Sequence, residues 1–231
     1  MQPKNRIKLR IRHVRSTADY LIGKIKKPSS KNWIAIGDSL TSYDLTHNVA
    51  EGLHVVSKNL GFPGAKMSGP TDHLETLWLQ VADGVPLNSD LVTIMAGTND
   101  WNQGQPIGSL GDINTNTYLG AYQTLVKKII SQKRPRKLVL ISPPYAEPNR
   151  SDRHIFQDGN YINHAGHSLE DYALAVRHLA EHLGVGFIDL YRLCGFQGNM
   201  HEFFATEDRI HPRQHGRDVL ERLLVDNLRL F

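Results

Sequence analysis

Short apolar runs alternate along this chain with stretches whose apolar residues recur every three or four positions. Trp33-Ile34-Ala35-Ile36 is the first run, with a glycine directly after it. His54-Val55-Val56-Ser57 is a second, weaker run. Leu91-Val92-Thr93-Ile94-Met95-Ala96, Lys137-Leu138-Val139-Leu140-Ile141 and Val185-Gly186-Phe187-Ile188-Asp189 complete a set of five. Strands apolar on nearly every residue have both faces covered, as in a parallel sheet. Helical spacing fills the intervals. It places Leu74, Leu77, Trp78 and Val81 on one face of 71–81, and Tyr118, Tyr122, Leu125 and Ile129 on one face of 115–130. Tyr172, Val176, Leu179 and Leu183 share a face of 169–183, with Ser168 as N-cap. Val219, Leu223, Val225 and Leu228 do the same in 214–230. The alternation predicts a three-layer α/β/α fold around a five-stranded parallel sheet with right-handed crossovers. Residues 143–167 are the longest irregular piece, and long loops in compact domains are often functional.

Charge divides the chain. Of 27 Lys+Arg and 23 Asp+Glu, residues 1–31 hold ten and one, a net +9; the other 200 residues are at −5. The predicted organisation is a basic extension with linker, 1–31, and a mildly acidic domain, 32–231. A basic groove for nucleic acid on that domain is not expected. Within the extension, Ile7-Lys8-Leu9-Arg10-Ile11-Arg12 alternates with period two and predicts a strand, and 16–25 fits a short helix. The extension reads either as a solvated arm or as a docking segment for a partner or an anionic surface. No run approaches the ~18 apolar residues that span a bilayer. The basic start has no apolar core of a secretory signal, so a cytoplasmic location is expected unless the chain is part of a larger or virus-particle protein. Cys194 is the single cysteine, which excludes an intrachain disulfide and a Cys-rich zinc site.

In a sheet of this type, ligands bind outside the carboxyl ends of the strands. Gly37-Asp38-Ser39-Leu40 follows the first strand, and Asn59-Leu60-Gly61-Phe62-Pro63-Gly64 the second. Gly97-Thr98-Asn99-Asp100 follows the third, and Asp208-Arg209-Ile210-His211 precedes the last helix. Together these supply the groups for acyl transfer to water. Ser39 is the candidate nucleophile, at a tight turn where Gly37 lets the backbone bend. His211 is the candidate base, because imidazole takes and returns a proton near neutrality. Asp208, three residues earlier, is placed to hold its tautomer. The backbone N–H groups of Ser39 and Gly64 and the amide of Asn99 are the candidate oxyanion donors, with Gly61 competing for the role of Gly64.

These four blocks, in this order, resemble the SGNH/GDSL hydrolase superfamily. The resemblance covers about 32–231. It implies a flavodoxin-like fold and the activity of an esterase, lipase, thioesterase or carbohydrate deacetylase. It maps the family's four named residues onto Ser39, Gly64, Asn99 and His211, with Asp208 as third triad member. The expected activity is a serine esterase cleaving short O-acyl esters through an acyl-enzyme. Polar loops at 41–44, 102–105 and 149–167 point to a hydrated acceptor such as an O-acetylated carbohydrate. The alternatives are a lysophospholipase or thioesterase, or a non-catalytic glycan-binding or structural module.

Other residues compete for attention. His178-Leu179-Ala180-Glu181-His182 fits the H-x-x-E-H zinc pattern. It reads instead as the exposed flank of an amphipathic helix, and no metal or cofactor is expected. Trp101 is either a core wedge or a sugar-stacking platform. His164 and His167 read as loop residues, and Asp38 as structural.

Overall fold

The computed structural model describes residues 31–69, 81–148 and 153–231. The strand and helix read in the extension, and all but the last residue of the helix read over 71–81, lie outside the described residues.

The first half of the chain runs β1 (Asn32–Gly37), α1 (Ser39–Ser42), α2 (Leu45–Leu53), β2 (Val56–Gly61), β3 (Leu91–Met95) and α3 (Thr98–Asn102). Then come α4 (Tyr118–Lys128), which continues into one π-helical turn at Ile129–Lys133, β4 (Lys137–Ile141), β5 (His154–Gln157) and β6 (Asn160–Asn163). The last third holds α5 (Leu169–Leu183), β7 (Gly186–Ile188), α6 (Leu190–Leu193), α7 (Met200–Phe203) and α8 (Gln214–Leu228).

Strands β2-β1-β3-β4-β7, in that order, form the five-stranded parallel sheet that the pattern predicts. Helices α2 and α8 pack on each other, while α4 packs on α5 and α5 lies against β4 and β7. The central strands are apolar because both faces are covered: Ile34, Ile36, Val92, Ile94, Val139 and Leu140 are all essentially inaccessible. Helix α5 begins as expected at Ser168, whose side chain accepts from Asp171 N–H while Asp171 bonds back to the Ser168 N–H. Such a cap is worth about 1 kcal/mol. Tyr118 and Tyr122 of α4 donate to the carbonyls of Ala96 and Ile94, at 2.7 and 3.0 Å, and so lock that helix to the end of β3.

The second strand departs from its expected position at 54–57. His54 instead closes α2 in a left-handed conformation, φ 58°, and the strand runs from Val56 to Gly61. It lies at the sheet edge, where Lys58 and Asn59 face solvent; an edge strand is not required to be apolar on both faces. The stretch 143–167, expected to be irregular, carries the antiparallel hairpin β5–β6. Asp158 and Gly159 turn it with φ 52° and 82°, as a two-residue hairpin turn requires.

Candidate active site

The chain order reverses at β1, which lies between β2 and β3 with each running onward to opposite sides of the sheet. Such a point opens a crevice at the carboxyl ends of the strands. Ser39 is the first residue of α1, directly beyond β1. The reason for Gly37 differs from the expected bend. Its backbone is ordinary, but a Cβ there would lie 2.1 Å from Thr41 Oγ1 and 2.4 Å from the Met95 carbonyl. The glycine serves close approach, which brings α1 down onto the end of β3.

Ser39 Oγ lies 2.8 Å from His211 Nε2, and His211 Nδ1 lies 2.8 Å from Asp208 Oδ2. The other Asp208 oxygen accepts from the N–H groups of Ile210 and His211, both at 3.0 Å. Burial alone would push the Asp208 carboxyl up. Those two N–H groups and the imidazole outweigh burial and leave it below its ordinary range. A carboxylate held ionised there keeps the proton on Nδ1, so Nε2 is free to accept from the Ser39 hydroxyl. The three groups span 172 residues of sequence and meet because α1 and the loop before α8 share the same end of the sheet.

The second block separates the two competing glycines. Gly61 ends β2, and its N–H donates to Asn59 Oδ1 at 2.8 Å. Gly64 has φ +76°, open space around it, and no partner for its N–H among the described residues. Asn99, in the first turn of α3, donates through Nδ2 to the Ala65 carbonyl at 3.0 Å. That bond places the Asn99 amide beside the Gly64 turn.

One buried group here was not singled out by sequence reasoning. Asp100 is wholly inaccessible and accepts from Met67 N–H, Ser68 N–H and Ser68 Oγ at 2.8, 2.9 and 2.7 Å. It clamps the loop after Gly64 to the helix that carries Asn99. Burial pushes its carboxyl up against those three donors. Asp38 is buried as well: its side chain accepts from Leu40 N–H at 3.1 Å and caps α1, and burial raises its pKa to about 7. The imidazole of His211 meets Tyr43 edge-on, with centroids 5.9 Å apart.

Matched against known families, residues 35–219 correspond to the GDSL-like Lipase/Acylhydrolase family. The chain belongs to that family. Its members are hydrolases of esterase type, and the fold agrees with solved structures from three bacteria. A Lactobacillus plantarum protein superposes with TM-score 0.74 at 23% identity, covering 87% of this chain and 98% of that one. The M. smegmatis aryl esterase gives 0.64 at 20%, covering 87% and 99%. A carbohydrate acetylesterase family member from Sinorhizobium meliloti gives 0.62 at 17%, covering 87% and 98%. No curated protein matches the chain in sequence.

Trp101 does not face the cleft. It is 1% exposed, its Nε1 donates to the Tyr161 carbonyl at 3.2 Å, and it packs on His154. It is a core wedge under the β5–β6 hairpin and offers no face to a sugar. His178, Glu181 and His182 lie on the exposed flank of α5, where Glu181 pairs with Arg177 at 3.0 Å. No group of three His, Cys, Asp or Glu suited to a metal occurs among the described residues. His164 and His167 belong to the turn between β6 and α5. Cys194 is buried. No helix among the described residues is long and apolar enough to cross a membrane.

Proposed function

We propose that this protein is a serine esterase that cleaves short O-acyl esters of a hydrated acceptor, such as an O-acetylated carbohydrate. The observation that carries the reading is the Ser39–His211–Asp208 relay, with both links at 2.8 Å. His211 takes the Ser39 proton as Oγ attacks the ester carbonyl. The negative oxygen of the tetrahedral intermediate then meets the N–H groups of Ser39 and Gly64 and the amide of Asn99. Collapse breaks the C–O bond; His211 gives its proton to the leaving alcohol oxygen, and the acyl group stays on Ser39. Water enters, loses a proton to His211, attacks the acyl carbonyl and releases the carboxylic acid with Ser39 restored.

A fluorophosphonate probe tests the nucleophile. Labelling of Ser39, together with loss of several powers of ten in kcat for Ser39→Ala, is the expected result. Turnover within tenfold of the parent for Ser39→Ala would refute it.

A second reading has one observation in its favour. A cavity of about 320 Å³ beside His211 is lined by Leu40, Tyr43, Leu45, Pro212 and Leu220 on its apolar side and by Asp44, Asp208 and Arg217 on the other. Its apolar walls favour a lysophospholipase or thioesterase, and the dependence of rate on acyl length separates the two.

A further inference from the structure

The β5–β6 hairpin is bound to both walls of the candidate site. On the oxyanion side, the Tyr161 carbonyl accepts from Trp101 Nε1 at 3.2 Å, and Asn163 Nδ2 donates to the Trp101 carbonyl at 3.0 Å. Trp101 stands two residues after Asn99 on α3. On the base side, the Tyr161 hydroxyl donates to Glu147 Oε2 at 3.3 Å. Glu147 pairs with the Arg209 guanidinium, and its own N–H donates to the Arg209 carbonyl at 3.1 Å. Arg209 lies between Asp208 and His211. A single tyrosine therefore reaches from the helix of Asn99 to the loop of His211.

Directly across the hairpin from Tyr161 is Phe156, its paired residue on β5. The two rings are in contact, with centroids 4.9 Å apart, and Phe156 is 63% exposed. Phe156 thus offers an open aromatic face, backed by the half-buried Tyr161, on an element clamped to the catalytic edge. The leaving alcohol must lie on the His211 side, because His211 returns the proton to its oxygen. That is the side on which Tyr161 is anchored through Glu147 and Arg209.

We propose that Phe156 and Tyr161 form the acceptor subsite, a stacking platform for a pyranose ring of the substrate. The apolar face of a pyranose presents C–H groups with partial positive charge, which suit the negative face of an aromatic ring. The proposal rests on the reading of the protein as an esterase of acylated carbohydrate.

Kinetics of Phe156→Ala on acetylated xylotriose and on ethyl acetate test it. The expected result is a KM on the trisaccharide raised at least tenfold, with kcat there and kcat/KM on ethyl acetate within twofold of the parent. Phe156→Trp is expected to restore the parent KM. An unchanged trisaccharide KM, or an equal loss on ethyl acetate, would overturn the platform. Titration of Ser39→Ala with xylotriose, cellotriose and mannotriose separates this failure from failure of the esterase reading. Binding that Phe156→Ala abolishes sustains the platform whatever ester proves best. No binding of any of the three rejects it, while hydrolysis of simple esters stands unaffected.

Discussion

Asn99 donates to the Ala65 carbonyl, and that bond decides which end of its amide faces the Gly64 turn. With one amide hydrogen held by Ala65, the other is the one that the proposed mechanism gives to a developing oxyanion. Asn99→Ala is expected to lower kcat by roughly 10²–10³ with KM nearly unchanged, because the amide acts on charge that exists only in the transition state. Steady-state kinetics read this directly. A raised KM with unchanged kcat would instead make Asn99 a ground-state binding residue.

Asp100 holds the same arrangement from beneath. In Asp100→Asn, the new NH₂ group faces donors at Met67 and Ser68 that now find an acceptor at one oxygen only. A buried donor left without its acceptor costs about 1–3 kcal/mol, so a loss of stability on that order is expected. The more telling readout is kcat, which should fall while KM holds, since the Gly64 turn loses its brace to α3. The defect should also combine less than multiplicatively with that of Asn99→Ala. A folded Asp100→Asn protein with parental kcat would show that the clamp serves stability alone.

How far the sequence could be read depended on whether a residue's neighbours are local. β4 is legible to the residue because a buried central strand must be apolar throughout. β2 was displaced because an edge strand has no such requirement. The β5–β6 hairpin escaped because its signal is the Asp158-Gly159 dipeptide within a stretch rich in Pro, Asn, Asp and His. Ser39, Asp208 and His211 are legible because each follows or precedes a recognisable element in a fixed order of blocks. Trp101 was ambiguous because its burial depends on Tyr161, 60 residues away. Asp100 was invisible for the same reason: its partners Met67 and Ser68 come from a loop 32 to 33 residues earlier, and only the fold brings them together.

Asp38 predicts a pH dependence of stability. Its folded pKa of about 7 lies far above that of an exposed carboxyl, because burial disfavours its charged form. Between roughly pH 4 and pH 7 the folded state therefore holds more protons than the unfolded one. Stability contributed by neutral Asp38 is full below that window and is lost as pH rises through it, at up to ~1.4 kcal/mol per pH unit. Asp38→Asn keeps an oxygen for the Leu40 N–H and removes the titration. Thermal melts from pH 5 to pH 7.5 should show the variant gaining on the parent as pH rises. Parallel curves would mean that the Asp38 charge is accommodated at no cost.

The position of the apolar cavity bears on the length of the acyl group. The cavity is lined by His211 as well as by Leu40, Leu45 and Leu220. On the proposed mechanism His211 serves the leaving oxygen, so space beside its ring lies on the alcohol side of the ester rather than the acyl side. On the same mechanism the acyl half lies toward Gly64 and Asn99, where the turn exposes Phe62 and Pro63 to solvent. A methylene gains about 0.8 kcal/mol only when an apolar wall covers it. The solvent-exposed Phe62 and Pro63 cover an added carbon far less than a closed trough would, so length is expected to bring little binding. Nitrophenyl esters from two to twelve carbons are therefore expected to be cleaved best as acetyl and propionyl, with kcat/KM falling steadily beyond. If the chain instead folds back into the cavity at Leu40 and Leu45, kcat/KM rises with length and peaks at eight carbons or more. That outcome would replace the short-acyl reading with the lysophospholipase or thioesterase one. Leu220→Trp, which fills the cavity, would then abolish the preference for long chains while sparing the acetyl ester.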